Sequence, residues 1–120
     1  MVAKTSTPQV FGRLEKFMEP CLLLTLREEE SHGYELMEKL KEFGFEGSSA
    51  DMANMYRILR NLEEKEMLSS KWEEGAGPPK RVYSITQAGE KLLEEWAALI
   101  RKNRARIDRF LTKFAEIGEE

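Results

Sequence analysis

The stretch Ala50–Glu66, ADMANMYRILRNLEEKE, runs straight into MLSSKWEEGAGPPKRVYSIT, and this junction restricts the fold more than any other part of the chain. Met55, Ile58, Leu59 and Leu62 recur at helical spacing, which predicts an amphipathic helix with Asp51 as its N-cap. Leu68–Glu73 and Arg81–Thr86 then alternate apolar and polar residues with the period of a strand. Leu68, Trp72, Tyr83 and Ile85 are expected toward the core, and Lys71 and Arg81 away from it. Gly75-Ala76-Gly77-Pro78-Pro79 supplies the connecting tip, too long for a two-residue turn. A helix joined to a two-stranded hairpin in this order predicts a winged helix-turn-helix.

The flanking sequence completes the pattern. Residues 1–9 read as a disordered arm, polar and carrying Pro8. From near Val10, the residues Phe11, Leu14, Phe17/Met18, Cys21/Leu22 and Thr25/Leu26 recur at about 3.6 spacing. Pro20 falls inside this run. It either kinks one helix or sits in the first turn of a second; the favoured arrangement is a short N-terminal helix and a new one from about Glu19. Glu28–Ser31 is a polar break, with Ser31 as the expected cap of the next helix and Glu35 supporting that end. Tyr34, Met37 and Leu40/Lys41 predict the inner stripe of a helix that runs to about Glu42. Gly44 should stop it, with Phe43 and Phe45 packed beneath the turn.

After the hairpin a long helix is expected from about Gln87 to Ile117. Its stripe is Leu92/Leu93, Trp96, Leu99/Ile100, Asn103, Ile107, Phe110/Leu111 and Phe114. That face is longer than a small winged-helix core can cover, so the spare part should meet a partner helix, most simply from a second copy. The fold class expected is mainly α with a small β-hairpin. Residues 10–86 form a winged helix-turn-helix DNA-binding domain, and residues 87–120 a C-terminal dimerisation helix.

Composition narrows the function. The net charge of −3 argues weakly against nucleic acid, so the distribution of charge decides. Glu28-Glu29-Glu30 and Glu119-Glu120 are compact acidic patches, whereas Arg57, Arg60, Lys71, Lys80 and Arg81 gather in the third helix and hairpin. No apolar run approaches the ~20 residues of a membrane span, and the N-terminus lacks the layout of a signal peptide. A cytoplasmic location is therefore expected. The single cysteine, Cys21, sits among apolar neighbours and reads as a small buried hydrophobe. The lone His32 has no cysteine nearby, which disfavours a transition-metal site. Ser31-His32 with scattered carboxylates is no triad, and Gly75-Ala76-Gly77 precedes prolines instead of a helix. No catalytic residue, cofactor or metal is expected.

The candidate DNA-reading set is Ser49, Met52, Asn54, Tyr56, Arg57 and Arg60 on the helix, with Lys71, Lys80 and Arg81 from the hairpin. Asparagine pairs with adenine, arginine with guanine or phosphate, and a tyrosine hydroxyl with phosphate. The bland alternative is a solvated helix face with incidental links such as Arg60 to Glu64. The candidate dimer or ligand-pocket set is Phe17, Leu92, Trp96, Leu99, Ile100, Ile107, Phe110 and Phe114. Trp96 there either stacks on a flat ligand or packs in the dimer seam. The competing function is a winged helix that binds another protein without specific DNA contact.

LLLTLREEESHGYELMEKL (Leu22–Leu40), NMYRILRNLEEKEML (Asn54–Leu68) and KWEEGAGPPKRVYSITQAGEKLL (Lys71–Leu93) together resemble the PadR family of bacterial transcriptional regulators. His32-Gly33-Tyr34, Tyr56-Arg57-x-Leu59-x-x-Leu62-Glu63 and Tyr83…Thr86-x-x-Gly89 are the specific parts. Ala53 and Met55 stand where many members have Gly and Leu. The resemblance implies a homodimeric winged helix-turn-helix repressor that binds an inverted-repeat operator. A single long C-terminal helix is similar to the short branch of the family, which includes multidrug-responsive repressors. In those, a tryptophan of this helix lines a pocket at the dimer interface, and Trp96 lies about one turn earlier. Phe43-Gly44-Phe45 and Pro79-Lys80-Arg81 resemble polyhydroxybutyrate-responsive members. A small hydrophobic or aromatic effector is the partner implied besides double-stranded DNA.

Overall fold

A computed structural model of the chain describes residues 16–118. The elements run α1 (Met18–Glu28), β1 (Ser31–His32), α2 (Gly33–Leu40), a 3-10 turn (Lys41–Phe43), α3 (Ser49–Glu64), β2 (Leu68–Glu73), β3 (Lys80–Ile85) and α4 (Gln87–Glu116). The arm expected at residues 1–9 and the helical start near Val10 lie outside the described residues. The architecture is the mainly helical, hairpin-bearing one that the sequence implies, with one strand more. β1 pairs antiparallel with β3, giving a three-stranded sheet of order β1-β3-β2. A two-residue strand has no periodicity to read, so only its pairing reveals it.

Pro20 is the third residue of α1. In the first turn its missing N–H had no helical partner to lose. The cap of α2 differs from expectation. Ser31 is buried in β1, where its hydroxyl donates to the Glu29 carbonyl at 3.2 Å and accepts from Lys39 Nζ at 2.9 Å. His32 takes the N-cap position instead, and the Glu35 carboxylate accepts its backbone N–H at 3.3 Å. Glu35 thus supports this end as expected, one residue later. The α-helix closes at Leu40, short of Glu42, and tightens into the 3-10 turn that Gly44 ends at φ 97°. Tyr34 is 74% exposed, against the expectation of an inner residue. It stands ~100° round the helix from Gly33, and the buried arc is Gly33, Leu36, Met37 and Leu40.

The cap of α3 is Ser48, not Asp51. The Ser48 hydroxyl accepts the Asp51 N–H at 3.1 Å, and the Asp51 carboxylate turns back to accept the N–H groups of Glu46 and Gly47, each at 3.0 Å. An acid in the first turn also suits the positive end of the helix dipole. At the other end, Met67 N–H bonds the Leu62 carbonyl at 2.8 Å and Glu66 N–H the Glu63 carbonyl at 3.0 Å. This Schellman arrangement puts Glu66 at φ 62°, in the left-handed region where glycine is usual.

The core joins Leu22, Leu23 and Leu26 of α1, Leu36 and Leu40 of α2, and Met55, Leu59 and Leu62 of α3. Leu68, Tyr83 and Leu93 close it from the sheet and α4, with Phe43 and Phe45 packed on its rim as expected. Cys21 is buried in this core, and desolvation pushes its thiol up to about 12. Thr86 caps α4 by accepting the Gly89 N–H at 3.1 Å, while its own N–H bonds the Met67 carbonyl at 3.1 Å. Gly89 lies hard against that carbonyl, where a Cβ would overlap the Met67 backbone. The Thr86-x-x-Gly89 motif is therefore a packing device that lets α4 start beside the α3–β2 junction. Among the described residues, no helix is long and apolar enough to cross a membrane.

Candidate nucleic-acid interface

The buried stripe of α3 is Met55, Ile58, Leu59 and Leu62, as expected, and it fixes where every other side chain of that helix goes. Ala53, Arg57 and Arg60 lie on the outward arc and are exposed. Ser49 is exposed in the first turn, and Met52 is half-buried against the core. Tyr56 and Asn54 fall on opposite flanks. Tyr56 faces α2 and the hairpin, with Gly33 so close that a Cβ there would overlap the tyrosine ring and hydroxyl. Asn54 faces α1. Its Nδ2 donates to Met18 Sδ at 3.8 Å and its Oδ1 accepts from Arg57 Nη2. Asn54 thus links Arg57 to α1.

On the Tyr56 flank, a groove of about 450 Å³ runs between the helices and the hairpin, lined by His32, Tyr34, Tyr56, Trp72, Arg81 and Tyr83, with Lys80 at its edge. The register explains its walls. Leu68↔Ile85, Ser70↔Tyr83 and Trp72↔Arg81 share one face, while Lys71↔Val82 and Glu73↔Lys80 share the other. Lys71 and Arg81 therefore point from opposite faces, not together away from the core as expected. Trp72 also departs from expectation, being 64% exposed. It is on the same face as buried Leu68, but four residues or ~13 Å farther along the strand, past the end of the core.

Arg81 is held by its neighbours. Its Nη2 bonds both Glu63 carboxylate oxygens at 3.1 and 3.2 Å, and its Nε donates to Ser70 Oγ at 2.9 Å. The Ser70 hydroxyl in turn donates to Glu63. The guanidinium lies 5.7 Å from the Trp72 ring centre and 5.9 Å from that of Tyr83. Burial raises the Tyr83 pKa above its ordinary value, with Arg81 opposing and Glu63 reinforcing the shift. Among the described residues, Arg57, Arg60, Lys71 and Lys80 enter no ion pair, and the Arg60–Glu64 link that would have made the helix face a bland one is absent.

Two further clefts meet at Trp96. Its indole N–H donates to Glu19 at 2.9 Å, tying α4 to α1. One cleft, of about 400 Å³, brings Phe17, Trp96 and Ile100 together with Cys21, Leu24 and Leu93. The other, of about 700 Å³, lies between Trp96 and the Asn54 flank of α3. Leu92 packs on the core edge. Leu99, Ile107, Phe110 and Phe114 join neither cleft and stand exposed, with the Phe110 and Phe114 rings stacked at 6.0 Å.

Sequence reasoning missed Glu63, Ser70 and Tyr34. Parity was the available signal for Ser70, which shares a strand face with Leu68 and Trp72. For Glu63 periodicity gave none, because its partner lies eighteen residues away across a hairpin, and its place at the end of the Tyr56…Glu63 motif was the one available signal.

The family model described as transcriptional regulator PadR-like matches residues 22–95. No curated protein matches the chain. Among solved structures, a conserved protein of unknown function described as a potential transcriptional factor is 35% identical, with a TM-score of 0.74 over 87% of this chain and 92% of that one. A PadR-like transcriptional regulator from Bacillus cereus is 27% identical, with a TM-score of 0.71 over 82% of this chain and 94% of that one. Bacillus subtilis PadR in complex with operator DNA is 23% identical, with a TM-score of 0.57 over 67% of this chain and 46% of that one, a likeness of fold. The family match spans most of the chain and carries the helix-turn-helix, the hairpin and the start of α4; the chain belongs to the PadR-like family of transcriptional regulators.

Proposed function

We propose that this chain is a cytoplasmic repressor that binds an inverted-repeat operator in double-stranded DNA as a homodimer. Residues 10–86 serve as the DNA-binding unit and 87–120 as the dimerisation helix. The observation that carries the reading is positive charge without an internal counter-charge: among the described residues Arg57, Arg60, Lys71 and Lys80 are exposed and enter no ion pair, in a chain with net charge −3. Family membership and the operator complex of the Bacillus subtilis relative support it.

In this reading the N-terminal half of α3 enters the major groove. Arg57, oriented by Asn54, and Arg60 reach base edges or phosphate, and the Tyr56 hydroxyl binds phosphate. Ser49 and Met52 line the entry, and Lys71 and Lys80 hold flanking phosphates. Glu64, at the far end of the helix, stays clear of the backbone. The exposed apolar half of α4 pairs with its copy. A small hydrophobic or aromatic effector near Phe17 and Trp96 would change the angle between the two α4 helices, and with it the spacing of recognition helices that must match half-sites about one DNA turn apart. Phe43-Gly44-Phe45 with Pro79-Lys80-Arg81 favour a polyhydroxybutyrate-responsive type.

Fluorescence anisotropy with a duplex from the region upstream of its own gene, against random competitor DNA, tests the reading. Binding should be competitor-resistant, with two protomers per site, and should weaken by orders of magnitude over ~50–200 mM salt. Arg57→Ala should abolish it while the protein stays folded. Normal binding by folded Arg57→Ala would overturn the docking; affinity insensitive to salt would favour a protein partner.

A further inference from the structure

We propose that Arg81 is a pin that fixes the hairpin against the recognition helix, with Glu63 and Ser70 as its socket, and that it is not one of the DNA-contacting cations. The inference rests on the DNA-binding reading above and deepens it.

Three observations carry it. First, Arg81 is committed. Its Nε and Nη2 are bonded to Ser70 and to both oxygens of Glu63 at 2.9–3.2 Å, and Ser70 and Glu63 are bonded to each other. Lys80, the next residue, is exposed as Arg81 is, but has no ion-pair partner among the described residues. Second, the pin reaches one residue pair beyond the last one that β1 and the buried Val82 and Tyr83 hold. Leu62 and Leu68 pack α3 on the base of the sheet, but Trp72 and its partner Arg81 lie beyond the core. Without the pin, the hairpin beyond the Lys71–Val82 pair would be held by the pairing of its own two strands. Third, the guanidinium is flanked by Trp72 and Tyr83, so its plane as well as its charge is held. A lysine ammonium could replace the charge but not the forked, planar geometry.

The consequence is a division of labour within one dipeptide. Lys80 provides charge for phosphate, and Arg81 sets where Lys80 sits relative to Arg57 and Arg60. A pin changes affinity without changing the number of counterions released, whereas a phosphate contact changes both.

The experiment is the salt dependence of operator binding by wild type, Lys80→Ala, Arg81→Lys, Arg81→Met, Glu63→Gln and the Glu63→Gln/Arg81→Met double variant, each first checked for wild-type circular dichroism. Lys80→Ala should reduce the slope of log K against log salt by about 0.9. Arg81→Lys and Arg81→Met should both weaken binding by about tenfold at every salt concentration, with the slope unchanged. The double variant should lose no more than Arg81→Met alone. If Arg81→Lys binds like wild type while Arg81→Met loses about one counterion of slope, Arg81 is a phosphate contact and the pin is wrong. Additive losses in the double variant overturn it equally. Backbone ¹⁵N relaxation of the free protein reads the pin without DNA. Residues 69–84 should lose order in Arg81→Lys, and unchanged order would overturn the proposal even if the wild type bound no operator at all, an outcome that would separately overturn the DNA-binding reading.

Discussion

The two halves of α4 carry the same kind of sequence and meet opposite environments. From Gln87 to Trp96 the apolar residues are used inside the chain: Leu93 is buried, Leu92 and Trp96 pack on the core, and Gly89 touches the Met67 carbonyl. From Leu99 to Glu116 the stripe continues on the same period, yet Leu99, Ile107, Phe110, Leu111 and Phe114 are exposed. Hydrophobic periodicity therefore reports a demand for burial, not the place where it is met. The winged-helix core ends near Trp96, and the remaining turns of α4, roughly five to six, must find their cover elsewhere.

That contrast can be broken by substitution. Leu93→Ala should have the largest effect, a loss of about 3 kcal/mol, seen in urea unfolding at any protein concentration. Gly89→Ala follows, at about 2 kcal/mol, because the new methyl meets backbone and cannot be accommodated by a side-chain rotation. Phe110→Asp should leave the concentration-independent part of stability almost unchanged while converting a dimer to a monomer in sedimentation equilibrium. A Phe110→Asp protein that unfolds at every concentration would place that half of α4 inside the fold of one chain.

The smallest effect concerns Cys21, which lies under the proximal half beside Leu93 and Trp96. Its thiol titrates at about 12 in the folded chain against an ordinary 9.0, because burial disfavours the thiolate. The folded state thus holds this proton more tightly than the unfolded one. The contribution is whole below pH 9.0 and is lost as the pH rises from there toward about 12. Cys21→Ala should flatten this part of the fall in urea midpoint between pH 8 and pH 10, a range bracketing the ordinary thiol value of 9.0. An unchanged slope would mean that the thiol is solvated in the folded protein.

Sequence alone determined the elements whose signal is local and repeated. The α3 stripe, both hairpin strands to within a residue and the extent of α4 are all periodic over many residues, and periodicity survives without knowledge of neighbours. The family could be read for a related reason: Gly89 is held against the Met67 backbone, which allows nothing larger, and Gly33 lies against the Tyr56 side chain, which would have to move for a larger residue. Caps were legible only to within a few residues. Ser31, His32, Ser48 and Asp51 all can accept a helix N–H, and which one does depends on where the preceding chain is tied down, as Ser31 is by β1.

Only the tertiary structure decided which face a given residue serves. Trp72 and Arg81 look like core and surface in a list of hydrophobicities. The register puts them side by side beyond the core, with the exposed Arg81 bonded to Glu63. Asn54 looks free on a helical wheel, and it is bonded to Arg57 and to Met18 of α1. These assignments rest on pairs separated by eighteen and thirty-six residues. A contact of that range is set by how whole elements pack, which no short stretch of the chain encodes.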